Sequence, residues 1–308
     1  MSPRGARETT AAEEDRPTAL GPCRCVLFVP GSRPDRYSKA LASGADRVCV
    51  DLEDAVAPGD KAAARTHVLE LMRGDAWDPR RTLVRINHPS TTQGASDLAA
   101  LAEAPAGIAV LVMVPKCGSR GDLDAVRSAL PAAGGRLLLV PVVESAVGLA
   151  RVEEIATAPS VGALLLGGVD LTAELGAALE WDSLLYARGR LVHAAALAGV
   201  RAIDVPFLDA SDAAGLRDEA ARVRRLGFGG KAAIHPHQVG VVQAAFSPSD
   251  EEIARAARIL EVAGRQEGAF LLDGRMVDRP VVEAARRVVA MAEADAASTS
   301  EPDRTRSR

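Results

Sequence analysis

Aromatic residues make up only 3% of this 308-residue chain, so its core cannot rest on a few large rings. The hydrophobic content of 48% is instead carried by Ala, Leu and Val, small or branched residues that suit a parallel sheet buried beneath helices. Cysteine is equally scarce. Cys23, Cys25, Cys49 and Cys117 form no CxxC pair and fit no zinc-module spacing, which leaves a reducing cytoplasmic setting as the expectation. Cys49, inside an apolar run, reads as a small buried hydrophobe. No apolar run is long enough to cross a bilayer, and the polar first twenty residues do not read as a signal peptide. The net charge of −4 gives no reason to expect nucleic acid or an anionic membrane as partner.

Eight short, mostly β-branched apolar runs are present: 25–30, 47–51, 82–87, 109–115, 137–143, 163–168, 201–206 and 231–235. Near-continuous apolarity in runs of this length marks strands buried on both faces. Between them lie stretches with helical spacing, including 36–44, 61–73, 122–130, 147–157, 184–199 and 210–226; several end at glycine (Gly44, Gly199, Gly227), as helix C-termini do. Strands alternating with helices imply βαβ units, and eight of them imply a closed (β/α)8 TIM barrel, a fold that needs about 250 residues. A doubly wound open sheet is the alternative. The expected organisation is a disordered tail at 1–22, a catalytic barrel at 23–246, a C-terminal extension at 247–294 and a disordered tail at 295–308. Within the extension, 250–264 and 279–294 read as amphipathic helices and 268–278 as strand-like; it is too small to form a core alone.

Polar groups gather where the strands end. The first run leads into Pro30-Gly31-Ser32-Arg33, the second into Asp51-Leu52-Glu53-Asp54 and the third into Arg85-Ile86-Asn87. The fourth leads into Pro115-Lys116, the fifth into Glu144-Ser145 and the sixth into Gly167-Gly168-Val169-Asp170. The seventh contains Asp204 and the eighth ends at His235-Pro236-His237-Gln238. The C-terminal ends of barrel strands are where this architecture places its active sites. Glu144 and Asp170 follow adjacent strands, and two carboxylates facing one cavity repel each other unless a cation lies between them; oxygen ligation of this kind suits Mg2+, with Mn2+ as a substitute. Either residue would also serve as an acidic helix start. His235 and His237 have spacing for zinc but no third ligand. Gly227-Phe-Gly-Gly-Lys231 looks like a phosphate loop but precedes a strand, and Ser145 sits in no nucleophile elbow.

A set of segments in fixed order then resembles the citrate lyase beta-subunit family and its malyl-CoA and citramalyl-CoA lyase relatives in the HpcH/HpaI aldolase superfamily. They are Leu27-Phe-Val-Pro-Gly-Ser32, Asp51-Leu-Glu-Asp-Ala55, Val84-Arg-Ile-Asn87, Val114-Pro-Lys116, Val143-Glu144, Gly167-Gly-Val-Asp-Leu171, Gly230-Lys-Ala-Ala-Ile-His-Pro236 and Asp273-Gly-Arg-Met-Val-Asp278. They span residues from about 25 to 292. The resemblance implies a homotrimeric or hexameric barrel with Mg2+ held by Glu144 and Asp170. It implies that Arg85 contacts the keto-acid oxygen, and that the C-terminal segment is a lid bringing Asp278 to the reacting carbon of a neighbouring subunit's site. Asp51, Glu53 and Asp54 are expected to orient metal-bound waters, or else to cap and pair locally. Arg33, Arg36, Lys39 and Lys116 are expected to meet CoA phosphates, or else to form a solvated cluster.

The implied activity is cleavage or formation of a 3-hydroxyacyl-CoA such as malyl-CoA, citramalyl-CoA or a citryl thioester. The products are glyoxylate, pyruvate or oxaloacetate together with acetyl-CoA or a homologue. A free-standing enzyme is favoured over a citrate lyase subunit partnered by an acyl carrier protein. Three alternatives remain open: a malyl-CoA thioesterase, a CoA-independent hydroxy-keto-acid aldolase, and a non-catalytic acyl-thioester-binding protein.

Overall fold

In the computed structural model the described residues are 20–21, 23–105, 107–130, 137–266 and 268–300, with side chains described as far as 294. The chain divides into two compact units, at Gln243 and Ala244.

The first unit is a closed barrel of eight parallel strands in sequence order. They are β1 (Cys25–Pro30), β2 (Arg47–Asp51), β3 (Thr82–Arg85), β4 (Val110–Val114), β5 (Leu137–Val143), β6 (Ala163–Leu166), β7 (Arg201–Asp204) and β8 (Gly230–Ala233). Closure is made by β1 against β8, in the register Cys25 to Lys231. The helices between them are α1 (Tyr37–Ala42), α2 (Lys61–Arg73), α3 (Thr92–Leu101), α4 (Arg120–Ala129), α5 (Ala146–Ala150), α6 (Val152–Ala156), α7 (Gly168–Leu175), α8 (Trp181–Ala198) and α9 (Ala213–Leu226), with α10 (Pro236–Phe246) following β8. The TIM barrel expected from the eight apolar runs is therefore the fold.

Most strands are shorter at their C-terminal ends than the apolar runs suggested: β3 stops at Arg85, β6 at Leu166, β7 at Asp204 and β8 at Ala233. The next residues leave the hydrogen-bonded ladder to build the rim. The helix expected over 147–157 is two short ones, broken at Arg151, whose backbone (φ −113°, ψ 16°) departs from the helix. Helices α3 and α10 are additional to the helical stretches named from the sequence. The Gly- and Ser-containing start of α3 is organised by its cap, Thr91, whose hydroxyl accepts from Gly94 N at 3.0 Å. Gly199 and Gly227 do end α8 and α9, in left-handed conformation.

Strand side chains alternate between the barrel interior and the helices. Val26, Cys49, Leu83, Met113, Val140, Leu165, Ile203 and Ala232 share the interior cluster. Small and branched side chains from eight strands fill it, with Phe28 packed against it. Leu20 joins that cluster and its N–H donates to Gly162 O at 3.2 Å, so the chain is already in place at residue 20; the rest of the expected N-terminal tail, 1–19 and 22, lies outside the described residues. All four cysteines are free and buried, and burial pushes the thiols of Cys23 and Cys117 up to about 12, so none is reactive near neutrality.

The second unit contains α11 (Asp250–Ala263), an antiparallel hairpin of β9 (Phe270–Leu272) and β10 (Arg275–Val277), and α12 (Arg279–Ser300). The hairpin turns at Asp273-Gly274, both with positive φ, the Asp-Gly signature of a two-residue turn. The extension was expected to lack a core. It has a small one, in which Ala256, Ile259, Val277 and Ala285 gather Phe270, Leu272 and valines of α12. Helix α12 continues to Ser300, past the expected end at 294; 301–308 lie outside the described residues. Among the described residues no helix is long and apolar enough to cross a membrane.

Candidate active site

The interior of the barrel becomes polar in its last layer. Two residues beyond Cys49 comes Asp51, and two beyond Leu83 comes Arg85. The same step leads from Val142 to Glu144, Leu165 to Gly167, Ile203 to Val205 and Ala232 to Ile234. All six of these rim positions line one cavity of about 270 Å3, with Phe28, Asp54 and Asp170 also in its wall. The period that buries the core thus aims these side chains into the mouth of the barrel.

Arg85 is the fixed cation of this cavity. Its Nε donates to Asp51 Oδ1 at 2.7 Å and its Nη2 to Asp51 Oδ2 at 2.6 Å, while Nη1 lies 3.1 Å from Glu53 Oε2. The guanidinium stacks over Phe28, 5.1 Å from the ring centroid. Burial alone would lower its pKa, but the hydrogen bonds to Asp51 and the charges of Asp51 and Glu53 outweigh this and hold it above the ordinary value. Asp51 is itself fully engaged, since its carboxylate also accepts from Glu53 N at 2.8 Å and Ala55 N at 3.0 Å. Asp51 and Glu53 were expected to orient metal-bound waters or else to cap and pair locally. In the structure Asp51 holds Arg85, and Glu53 bridges Arg85 and Lys116.

Glu144 is buried, and Ser145, not Glu144, caps α5: its hydroxyl accepts from Gly148 N at 3.0 Å. Glu144 Oε1 accepts from Lys116 N at 2.6 Å. Its other oxygen rests against Gly167, where a Cβ would overlap Glu144 Cβ and Oε2, so the close approach requires glycine. Burial pushes the Glu144 carboxyl up to about 7; the Lys116 N–H and the Arg85 charge oppose this, and the charges of Glu53 and Asp170 add to it. Asp170 stands in the first turn of α7 and is 39% exposed.

Lys116 joins these groups. It has positive φ (49°), rare for a residue with a side chain. Its Nζ lies 2.9 Å from Glu53 Oε1, 3.5 Å from Asp170 Oδ2 and 3.8 Å from Asp54 Oδ1. Burial acts to lower its pKa, but the bond to Glu53 and the surrounding carboxylates raise it. Lys116, expected to meet CoA phosphates or else to join a solvated cluster, has its ammonium beside these site carboxylates. Arg33 pairs with Asp35 at 2.9 Å, and Arg33, Arg36 and Lys39 sit just after β1, largely exposed.

Other sequence candidates fall elsewhere. Asp204 points away from the cavity and pairs in the barrel wall with Arg188 at 2.9 Å and Lys231 at 2.6 Å. Lys231, the lysine of the apparent phosphate loop, is thereby fully buried. His235 and His237 meet edge to face, 4.6 Å apart. Asp278 lies in the second unit, between β10 and α12, where its Oδ1 accepts from Val281 N at 3.4 Å. Phe28, Val142, Val205 and Ile234 were not anticipated as site residues; counting by twos from the core would have found them.

Among the described residues of the site, the carboxylates of Asp51, Glu53, Asp54, Glu144 and Asp170 outnumber the cations Arg85 and Lys116, which favours a metal ion. Among the described residues no group of three or more His, Cys, Asp or Glu forms a closed metal cage. Glu144 and Asp170 on one cavity fit an ion such as Mg2+, which binds through one or two carboxylates and keeps water and substrate as its other ligands.

The sequence profile of the HpcH/HpaI aldolase/citrate lyase family matches residues 24–236. The chain belongs to this family. A second profile, the C–C bond lyases of the TIM-barrel fold, matches residues 190–296. Among the family's members, an L-malyl-CoA/beta-methylmalyl-CoA lyase of Cereibacter sphaeroides is 38% identical over 307 residues, covering 90% of this chain and 96% of its own. A (3S)-malyl-CoA thioesterase of the same species is 35% identical over 282 residues, covering 90% and 96%. The crystal structure of CitE from Mycobacterium tuberculosis with magnesium, acetoacetate and coenzyme A superposes with a TM-score of 0.77 at 34% identity, over 89% of this chain and 99% of that one.

Proposed function

We propose that the chain is a Mg2+-dependent carbon–carbon lyase that cleaves a 3-hydroxyacyl-CoA into a 2-keto acid and an acyl-CoA, or runs the reverse condensation. Malyl-CoA and its methyl homologue are the first substrates to test, because the similar lyases carry those names. The observation that carries the reading is the convergence of Arg85, Glu144 and Asp170 on one cavity at the C-terminal mouth of the barrel.

Cleavage passes the proton of the substrate's 3-hydroxyl to water, breaks the C2–C3 bond and leaves its electron pair on the thioester as an enolate, which then takes a proton at carbon, so that no proton is gained or lost overall. Glu144 and Asp170 would hold Mg2+, which would lower the pKa of the hydroxyl and orient the keto-acid half. Arg85, held rigid by Asp51 and Glu53, presents a permanent positive charge to the oxygen that becomes the keto group. Val142, Leu165, Val205 and Ile234 supply the apolar wall that limits the acyl group and excludes water. Asp278 would deliver the proton to the enolate carbon from the lid of a neighbouring subunit in a homotrimer or hexamer. Arg33, Arg36 and Lys39 would meet the CoA phosphates; Lys116, engaged by carboxylates, would order the metal-binding pair. The protein would act in the cytoplasm.

The thioesterase of similar sequence supports a second reading, in which water attacks the bound ester and free CoA leaves. Assaying malyl-CoA turnover for keto acid and for free thiol separates the two: keto acid without thiol supports the lyase, and thiol without keto acid the thioesterase.

A further inference from the structure

Behind Arg85 lies a second layer of polar contacts centred on Lys61, the first residue of α2. Its ammonium donates to Leu52 O at 2.9 Å, Glu53 O at 2.9 Å and Asn87 Oδ1 at 2.7 Å. All three acceptors are neutral, and together they join the loop after β2 to the chain leaving β3. Asn87 strengthens the same joint: its Nδ2 donates to Leu52 O at 2.9 Å and to Asp97 Oδ2 at 2.6 Å, and its backbone N–H donates to Asp97 Oδ2 at 2.8 Å. Asp97, fully buried on α3, is neutralised by Arg65 of α2 at 3.0 Å. The tied loop carries Asp51 and Glu53, and the tied strand end carries Arg85.

We infer that Lys61, with Asn87, is the positioning residue for Arg85: it fixes the β2 loop against the β3 end so that the Asp51–Arg85–Glu53 cluster keeps one geometry. Lys61 is not among the residues lining the cavity. A charged side chain whose donors all meet backbone and amide oxygens acts as a clamp, and displacement of a catalytic charge by about 1 Å costs on the order of 100-fold in rate. The inference rests on the proposed role of Arg85 for its kinetic consequence, but not for its structural one.

The test is hydrogen exchange at the Arg85 Nε–H, followed by NMR of the full-length protein labelled with 15N-arginine and assigned by loss of the signal in Arg85→Lys. Arg188 Nε–H, which donates to Asp204 Oδ1 at 2.9 Å in the barrel wall, is the internal control. In Lys61→Met the Arg85 proton is expected to exchange at least about tenfold faster through local opening, with Arg188 unchanged. Lys61→Gln, which keeps two donors, should fall between Lys61→Met and wild type, and it serves alone if the methionine variant does not fold. In steady state, Lys61→Met should lower kcat by roughly 10- to 100-fold with KM for the CoA ester little changed, and should add little to the loss in an Arg85→Lys background. Unchanged exchange at Arg85, or equal acceleration at Arg85 and Arg188, would overturn the inference. A wild type without lyase turnover would count against the role of Arg85, while the exchange measurement would still decide the clamp.

Discussion

Arg85 and Asp51 meet as a two-pronged pair inside the mouth of the barrel, Nε to Oδ1 at 2.7 Å and Nη2 to Oδ2 at 2.6 Å, with Asp51 only 1% exposed. The two residues face each other because β2 and β3 are paired in a register that sets Asp51 opposite Arg85. A buried pair of this kind fixes an arginine in one orientation, which a residue stabilising charge in a transition state requires. Arg85→Lys, which keeps the charge but loses the fork, should reduce kcat by roughly 100- to 1,000-fold. Asp51→Ala, which strands the arginine, should reduce kcat as well and destabilise the fold by about 3–5 kcal/mol, measured by chemical denaturation.

Gly167 sets the place of Glu144. A methyl group there overlaps the Glu144 side chain, so Gly167→Ala should displace the carboxylate from the proposed metal position. Mn2+ titration by electron paramagnetic resonance should show affinity at least about tenfold weaker, with the barrel still folded by circular dichroism.

The raised pKa of Glu144, about 7, gives the proposed metal binding a pH dependence. Binding needs the carboxylate, so affinity should climb about tenfold per pH unit below pH 7 and level off above it. Stability of the metal-free protein runs the other way. A carboxyl whose folded pKa lies above its unfolded value near 4.5 contributes stability that is complete below pH 4.5 and disappears as pH rises through 7. Glu144→Gln should remove both trends, as read by calorimetric metal titration and by denaturation across that range.

Much of this was legible in the sequence because strand periodicity is a local property. Eight apolar runs fixed the barrel, and the polar residues just beyond them supplied Arg85, Glu144 and Asp170. What could not be read was pairing between strands. Nothing local to Lys116 says that its ammonium turns to Glu53 and Asp170, and nothing local to Asp204 says that it faces outward to Arg188. Helix α3 is less legible for a related reason: its start depends on the Thr91 cap and on Gly94 passing close under His88 O.

Asp278 belongs to the second unit, and its proposed work is in a partner subunit's site. Asp278→Ala and Arg85→Ala should each be nearly inactive. When the two are unfolded together and reassembled, activity should return to a substantial fraction of wild type, because some sites then combine an intact barrel with an intact lid. Failure of the mixture to regain activity, with mixed oligomers shown by native mass spectrometry, would place Asp278 in its own chain's site or outside the chemistry.

The most direct measurement is 2-keto-acid release from malyl-CoA, beta-methylmalyl-CoA and citramalyl-CoA, with and without Mg2+, by wild type and Glu144→Ala. The expected result is metal-dependent release of glyoxylate or pyruvate with an equal amount of acyl-CoA, abolished in Glu144→Ala. Turnover that persists without a divalent metal, or ester consumption that yields free CoA and no keto acid, would contradict the assignment of this barrel as a metal-dependent lyase.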